Sequence, residues 1–364
     1  MAAPLTDTTT RRSAVFHSLA IAGLDRLCED AVAVTFDVPP ELADVFAFRA
    51  GQYLTLRRNG VDGTDERRSY SICAPAGAAP RIGVRLVEDG MFSTWLVREA
   101  AIGDRVDVLG PQGTFTPNVD VPGRHVMVAA GSGITPVLSV ATTLLAAHPD
   151  NHVTLLYGNR RSDTVMFAEE LADVKDTYLD RFQLVHVLSR EPRDVELFSG
   201  RLDADRLGRL VDGLAPAGVD HWWLCGPFGL IETTRDVLAA RGVPAERVHR
   251  ELFYVDEPPP EPVRHDDTTT DGPASEVTVV LDGRATTLTL PSDRPILDAA
   301  QRVRSDLPFA CKGGVCGTCR AKLTTGTVRM RRNYALEAHE LAAGFVLTCQ
   351  SLPTSAEVTV DYDA

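Results

Sequence analysis

The chain has 364 residues, of which 44% are hydrophobic and 24% are charged, and its formal net charge is −13. This length predicts two or three domains, and the acidic charge argues against general nucleic-acid binding, which needs a basic face. No apolar run reaches the roughly 18 residues of a membrane span, and no cleavage site follows Arg11 and Arg12. We therefore expect a cytoplasmic protein with neither nucleic-acid nor membrane partners.

Residues 13–118 contain short apolar segments that are separated by glycine and proline. The segments are AVAVTFDV, QYLTLR, RSYSIC, RIGVRLV and RVDVLG, and only residues 92–100 have the pattern of a helix. Short strands at this spacing predict an antiparallel β-barrel domain.

Strands alternate with helices in residues 119–256, which predicts an α/β domain around a parallel sheet. In residues 257–273, four prolines precede a run of aspartate and threonine and a fifth follows it, and this composition predicts a linker. Residues 274–364 predict a small α+β domain with a hairpin, a helix from about residue 295 to 303, and a loop rich in glycine and cysteine. The chain is therefore expected to have three domains.

Four of the seven cysteines have the spacing of a plant-type 2Fe–2S ferredoxin, whose fold is a β-grasp: Cys311, Cys316, Cys319 and Cys349. Such a cluster needs four converging thiolates, and the glycines between the first three cysteines allow backbone N–H groups to approach its sulfurs. The alternatives are a zinc site or unrelated free thiols, but zinc ribbons prefer two C-x2-C pairs and this chain has one. We predict that the four cysteines bind a 2Fe–2S cluster.

A cluster accepts one electron at a time, whereas NAD(P)H delivers two as a hydride, so a flavin is expected between them. The tetrapeptides RSYS and GMFS resemble the FAD site of the ferredoxin–NADP reductase superfamily. The resemblance implies that Arg68 pairs with an FAD phosphate, Tyr70 stacks on the isoalloxazine ring and Ser71 hydrogen-bonds near flavin N5. Gly90 and Ser93 would present a helix N-terminus to the pyrophosphate. Alone, the first tetrapeptide has an alternative as the polar face of an edge strand.

The α/β region opens with a strand-to-helix turn of sequence AAGSGITP. Gly131 and Gly133 allow a dinucleotide pyrophosphate to approach closely, and Thr135 follows them. Pro136 replaces the third glycine of the dinucleotide fingerprint. That departure argues against an ordinary Rossmann dehydrogenase and matches the same reductase superfamily.

Two further groups of residues are expected at the nucleotide. Cys225 and Gly226 end a later strand, and the resemblance places this cysteine near the nicotinamide, with a buried core thiol as the alternative. For the 2′-phosphate of NADPH we nominate Arg160 and Arg190, with Ser189 assisting, because both arginines follow the C-terminal ends of predicted strands. Solvated loop arginines are the alternative here, so NADH remains possible.

The order of the domains resembles that of reductases that serve multicomponent oxygenases. The segments CKGGVC, NYALE and LAAG narrow the match to the reductase components of bacterial phenylacetyl-CoA epoxidases. That family implies electron transfer from NADPH through FAD and the 2Fe–2S cluster to a separate di-iron oxygenase. The oxygenase would epoxidise phenylacetyl-CoA in aerobic phenylacetate catabolism.

Two other functions remain open. One is the reductase of a Rieske-type oxygenase, such as a ketosteroid hydroxylase, which has the same domain order. The other is a ferredoxin-like carrier or redox sensor without reductase activity, which the flavin and nucleotide motifs disfavour. We also hypothesise that Arg329, Arg331 and Arg332 dock an acidic oxygenase surface, with a solvated turn as the alternative.

Overall fold

The apolar residues of the first region alternate with polar ones, and this period of two produces a sheet. The structure is a computed structural model that describes residues 15–59, 65–253, 274–304 and 306–364. In the first region it contains an antiparallel sheet of spatial order β4-β3-β6-β1-β2-β5. The strands and helices of this region are β1 (Phe16–Cys28), β2 (Ala31–Asp37), α1 (Ala43–Phe46), β3 (Tyr53–Asn59), β4 (Asp65–Ser71), β5 (Arg81–Arg85), α2 (Met91–Arg98) and β6 (Arg105–Gln112).

Buried pairs two residues apart form the core of this sheet, as Leu54 with Leu56 and Val106 with Val108 illustrate. An isolated bridge joins Ile72, just after β4, to Ile82 on β5. It brings together the two strands at the ends of the spatial order, although the described sheet is not closed. The antiparallel architecture is as predicted, and its closure into a barrel stays a prediction.

The second region contains the predicted parallel sheet, of order β11-β10-β7-β8-β9 among the residues described. Helices connect its strands, so the carboxyl ends of the strands lie along one edge. The elements are β7 (Arg124–Ala130), α3 (Ile134–Ala147), β8 (His152–Asn159), α4 (Ala168–Thr177), β9 (Phe182–Leu188), α5 (Ala204–Leu214), β10 (His221–Cys225), α6 (Phe228–Ala239) and β11 (Val248–Glu251).

The antiparallel and parallel sheets belong to one compact unit, His17–Glu261. Polar contacts join them. The hydroxyl of Ser139, on α3, donates to the carbonyl of Ala74 over 2.6 Å. Arg81, on β5, pairs with Glu170, on α4, at 2.8 Å. Because such contacts fix orientation as well as distance, the two sheets can build a shared site.

The third region forms a separate unit with a small mixed sheet of described order β13-β12-β18-β14-β16 and a short ribbon of β15 and β17. Only β12 and β18 pair in parallel among the described strands of this sheet. The elements are β12 (Ala274–Leu281), β13 (Arg284–Pro291), α7 (Ile296–Ala300), β14 (Arg320–Thr325), β15 (Val328–Met330), α8 (Ala338–Ala342), β16 (Phe345–Leu347), β17 (Ser351–Pro353) and β18 (Glu357–Asp361).

The predicted linker, residues 257–273, lies outside the described residues, and the predicted domain limits stay predictions. Among the helices that are described, none has both the length and the apolar composition to cross a membrane.

Candidate functional site

Three of the predicted cluster cysteines share one loop, and the fourth approaches from a separate turn. Cys311, Cys316 and Cys319 lie between α7 and β14, whereas Cys349 lies between β16 and β17. Cys319 and Cys349 are buried, and Cys311 is exposed. The four residues are therefore brought together with one side towards solvent.

Backbone N–H groups of the loop point at its first cysteine. Those of Gly313 and Cys316 donate to Cys311 Sγ over 3.3 and 3.4 Å. A hydrogen bond from the Cys316 thiol is the largest cause that lowers the pKa of Cys311 to about 6, and these backbone bonds add to it. The loop thus favours a thiolate, which is the form that binds iron.

The four thiols meet in two pairs. Cys316 is the neighbour that most affects the pKa of Cys311, and Cys349 is the one that most affects that of Cys319, so the thiols of each pair lie close together. Two pairs of thiols suit a cluster of two irons better than one tetrahedral zinc ion. This donor set therefore fits a 2Fe–2S cluster.

The predicted flavin residues lie at the end of β4. Tyr70 places its ring 6.3 Å from that of Phe92, on α2, and burial raises the pKa of Tyr70, so that its phenol stays neutral. Arg68 is half exposed and pairs with Glu66 at 2.8 Å. Because side chains alternate along a strand, Arg68 and Tyr70 share one face and Ser71 points to the other.

The start of α2 is built by the hydroxyl of Ser93. This hydroxyl accepts a hydrogen bond from the N–H of Val87 and donates one to the carbonyl of Gly90, both over 3.1 Å. Ser93 is buried, so its hydroxyl stabilises the turn. The first-turn N–H groups are then the groups that the helix can offer to an anion.

Ser71 meets the parallel sheet through a carboxyl group. Its hydroxyl donates to Glu251 Oε2 over 2.8 Å, and Glu251 lies beside Cys225 in the pairing of β11 with β10. Burial raises the pKa of Glu251 to about 7 and the pKa of the Cys225 thiol well above its ordinary value. The predicted pair of Ser71 and Cys225 is thus connected by a group that can hold a proton near neutral pH.

Glu251 was absent from the sequence-based predictions. It lies 180 residues from Ser71 in the chain, so no local motif joins the two. Its position at the C-terminal end of a strand, where α/β sheets bind ligands, was the available signal.

The turn after β7 approaches the end of β10 closely. Gly131 has a φ of +55°, which favours glycine. A Cβ atom on Gly133 would lie 2.2 Å from the carbonyl oxygen of Cys225 and 2.8 Å from the nitrogen of Gly226. Thr135 is buried, and its hydroxyl donates to a carbonyl of the same turn. The predicted nucleotide residues of the two strands are therefore neighbours.

The residues predicted to bind the 2′-phosphate of NADPH also lie close together. The N–H of Arg190 donates to the carbonyl of Arg160 over 2.8 Å, and Ser189 lies beside them at the end of β9. Both arginine side chains are exposed, and neither forms an ion pair with a carboxylate of the described residues. The nearby carboxylate of Glu191 instead accepts two hydrogen bonds from Ser162.

Three protein-family models match the chain in the order expected for its domains. An oxidoreductase FAD-binding domain matches residues 19–116, an oxidoreductase NAD-binding domain matches residues 127–236, and a 2Fe-2S iron-sulfur cluster binding domain matches residues 279–354. These matches confirm the predicted oxidoreductase class and its flavin, nicotinamide and cluster cofactors.

Curated relatives match almost the whole chain. One of the subunits of the 1,2-phenylacetyl-CoA epoxidase of Escherichia coli (strain K12) is 42% identical over 354 residues, covering 96% of this chain and 98% of the relative. The ferredoxin reductase component of the 3-ketosteroid-9-alpha-monooxygenase of Mycobacterium tuberculosis (strain ATCC 25618 / H37Rv) is 36% identical, covering 95% of each chain.

A solved structure supports the arrangement of elements. Phthalate dioxygenase reductase, described as a modular structure for electron transfer from pyridine nucleotides to [2Fe-2S], matches with a TM-score of 0.58 and 25% identity. The match covers 95% of this chain and 98% of that one. The fold is therefore that of a multidomain reductase with a 2Fe–2S domain.

Proposed function

The chain belongs to the family of flavin-dependent reductases with a C-terminal 2Fe–2S domain in which the matching component of the Escherichia coli phenylacetyl-CoA epoxidase is found, and we propose that it supplies electrons to such an epoxidase. Electrons would pass from NADPH through FAD and the cluster to a separate di-iron oxygenase. The observation that carries this proposal is the meeting of four thiols in two pairs in a chain that also has the Ser71–Glu251–Cys225 contact.

The cofactors supply the redox chemistry when they are bound, because a flavin accepts a hydride and releases electrons singly to a one-electron cluster. The chain would supply position and charge. Tyr70 would cover one face of the flavin ring and exclude water, while Arg68 would exchange Glu66 for a phosphate. The hydroxyl of Ser71 and the carboxyl of Glu251 would hold a proton beside the reacting atoms, since the pKa of Glu251 is raised to about 7.

The choice of NADPH rests on the pair of exposed arginines at the ends of β8 and β9. Arg160 and Arg190 are adjacent and without a carboxylate partner among the described residues, so their charges are available to a 2′-phosphate. Ser189 could donate a hydrogen bond to the same group. NADH would leave both arginines without a ligand.

We further propose a closed barrel for the first sheet, which the bridge of Ile72 with Ile82 supports, and a β-grasp fold for the third domain. We also propose residence in the cytoplasm. The oxygenase would dock near Arg329 and Arg331, which are exposed and lie on and beside β15. Arg332 follows them in the chain.

Reconstitution tests this function. Purified chain would be combined with the oxygenase of a phenylacetyl-CoA epoxidase or with that of a ketosteroid hydroxylase, whose reductase is the second candidate because of the 36% identity. We expect NADPH-dependent product with the epoxidase at least about tenfold faster than with the hydroxylase. If product forms with the hydroxylase and not with the epoxidase, the chain serves a ketosteroid hydroxylase instead.

A further inference from the structure

Gln350 follows the fourth cysteine of the cluster site and is fully buried. A buried amide is unfavourable unless hydrogen bonds replace those it made with water. The proposed electron transfer assigns no role to this side chain. Its contacts therefore indicate what it does.

The amide of Gln350 connects the two parts of the cluster site. Its Nε2 donates to the carbonyl oxygen of Lys312 over 2.7 Å and lies 3.6 Å from Cys349 Sγ. Lys312 has a φ of +49°, a left-handed conformation that lysine rarely adopts. The amide thus holds the loop of the first three cysteines at its most strained residue.

The loop is also packed around this side chain. Gly314 has a φ of +80°, and a Cβ atom there would lie 3.1 Å from Gln350 Cγ. The carbonyl of Gln350 accepts from the N–H of Arg331 over 2.9 Å, and that of Gly314 accepts from the N–H of Tyr334 over 3.0 Å. The loop, the turn of Cys349 and the segment after β15 therefore form one hydrogen-bonded assembly.

The oxygen of the Gln350 side-chain amide differs from its nitrogen in having no such contact within the described part of the chain. Gln350 Oε1 is buried and has no hydrogen-bond partner among the described residues. An unpaired buried acceptor lowers stability, so the side chain is poorly suited to a purely stabilising role. Its N–H donor is the part that contacts the cluster loop.

We propose that Gln350 is a positioning residue for the 2Fe–2S cluster. Its N–H would hold Lys312 in the left-handed conformation, which directs the N–H of Gly313 at Cys311 Sγ, and would itself donate towards Cys349 Sγ. Hydrogen bonds to ligating sulfurs favour the more negative, reduced state, so Gln350 raises the reduction potential. This inference rests on the proposed function, because it takes the four cysteines as cluster ligands.

Gln350→Met in the full chain tests the proposal, since methionine keeps the length and apolar packing but has no N–H donor. The measurements are the midpoint potential, the EPR spectrum of the reduced cluster and the rate of iron release to a chelator. We expect the equilibrium constant for one-electron reduction to fall about tenfold, a shift of about 59 mV to lower potential. The EPR spectrum should change, and iron release should become about tenfold faster.

Two further variants separate positioning from general stability. Ser275→Ala removes the hydrogen bond of 2.7 Å that the buried Ser275 donates to the carbonyl of Ser355, in the same unit but away from the cluster loop. It should leave the potential and the EPR spectrum unchanged. Lys312→Gly, added to Gln350→Met, should restore slow iron release, because glycine adopts a positive φ without strain.

Wild-type potential, EPR spectrum and iron release in Gln350→Met would overturn the proposal. If that variant is purified without a cluster, the double variant decides: a recovered cluster supports the proposal, and an absent one contradicts it. None of these measurements requires NADPH or an oxygenase. A failed reconstitution with the epoxidase would therefore leave this test intact, and failure here would leave the proposed electron transfer open to its own test.

Discussion

The compact unit of residues 17–261, here called the reductase unit, and the separate unit with the four cluster cysteines, here called the ferredoxin unit, assemble their sites in opposite ways. In the ferredoxin unit, three of the four thiols come from residues 311–319 of one loop. In the reductase unit, the hydroxyl of Ser71 reaches the carboxyl of Glu251 across 180 residues of chain. The first site depends on local loop geometry, and the second depends on how two sheets pack together.

This difference implies that the two sites can be damaged separately. Loss of a thiol should disable the ferredoxin unit and leave hydride acceptance in the reductase unit unchanged. A change at Ser71, Glu251 or Tyr70 should act on the flavin or on its pH dependence and leave the cluster in place. Variants in each unit can therefore test whether the two sites act separately.

The largest effect is expected from Cys316→Ser, which removes one of the four proposed ligands. We expect reduction of a one-electron protein acceptor such as cytochrome c to fall about 100-fold or more. Reduction of the flavin by NADPH should stay within about twofold of the wild-type rate, since Cys316 belongs to the other unit. Stopped-flow absorbance and acceptor assays measure the two rates. Equal losses of both would show that the two sites are not separable.

A smaller loss is expected from Tyr70→Ala, which removes the ring next to Phe92. Without its stacking partner, the flavin should bind about tenfold more weakly or worse. FAD fluorescence on titration of the apoprotein gives the affinity, and iron content reports the cluster. Tyr70→Phe keeps the ring and serves as the control. Full FAD affinity in the alanine variant would remove Tyr70 from the flavin site.

The pH dependence of hydride transfer should follow Glu251, whose pKa burial raises to about 7. An arriving hydride adds negative charge, which the neutral carboxyl tolerates better than the carboxylate. At one pH unit above that pKa, the wild-type rate should therefore be about tenfold lower than its low-pH plateau. Glu251→Gln cannot ionise and should change less than about twofold over the same range. A Gln variant with the wild-type pH profile would assign the titration to another group.

The raised pKa of Glu251 also makes the free energy of unfolding depend on pH. The folded protein holds this proton up to about pH 7, whereas the unfolded chain releases it near the ordinary glutamate value of 4.5. The contribution of Glu251 to the free energy of unfolding therefore falls as the pH rises between those two values. Glu251→Gln should remove this part of the pH dependence, as thermal unfolding at several pH values would record.

The smallest effect is expected at the basic segment beside the cluster loop. Reversing the charges of Arg329, Arg331 and Arg332 to glutamate should slow electron delivery to the oxygenase about fivefold at low salt and reduce its salt dependence. The cause would be weaker attraction to an acidic partner surface. An unchanged salt dependence would favour the solvated turn.

A control for this variant carries the same change of net charge at exposed arginines elsewhere, namely Arg209, Arg235 and Arg284. It should leave delivery within about twofold of wild type. Equal effects of both variants would indicate a response to total charge.

The sequence was most informative where chemistry and local spacing coincide. The cysteine pattern predicted the cluster because three thiols must leave one short loop at fixed intervals. The alternation of strands and helices predicted the parallel sheet, since such connections require a crossover. Predicted element ends were less accurate: the helix expected at residues 92–100 runs from Met91 to Arg98.

Tertiary contacts were beyond the reach of local patterns. Glu251 gains its raised pKa and its partner Ser71 only when the antiparallel and parallel sheets pack together. The hydrogen bonds of the Ser93 hydroxyl depend on the turn at Val87, and whether the first sheet closes depends on how far its strands coil. Spacing alone does not determine any of these.

In the proposed function, electrons pass from NADPH to the cluster by way of a flavin in the same chain. Anaerobic rapid mixing of the full chain with NADPH, monitored at the separate absorption bands of the flavin and the cluster, tests this order of transfer. We predict that both bands bleach in the wild type, and that only the flavin band bleaches in Cys316→Ser. Bleaching of the cluster band in protein stripped of FAD would contradict this claim.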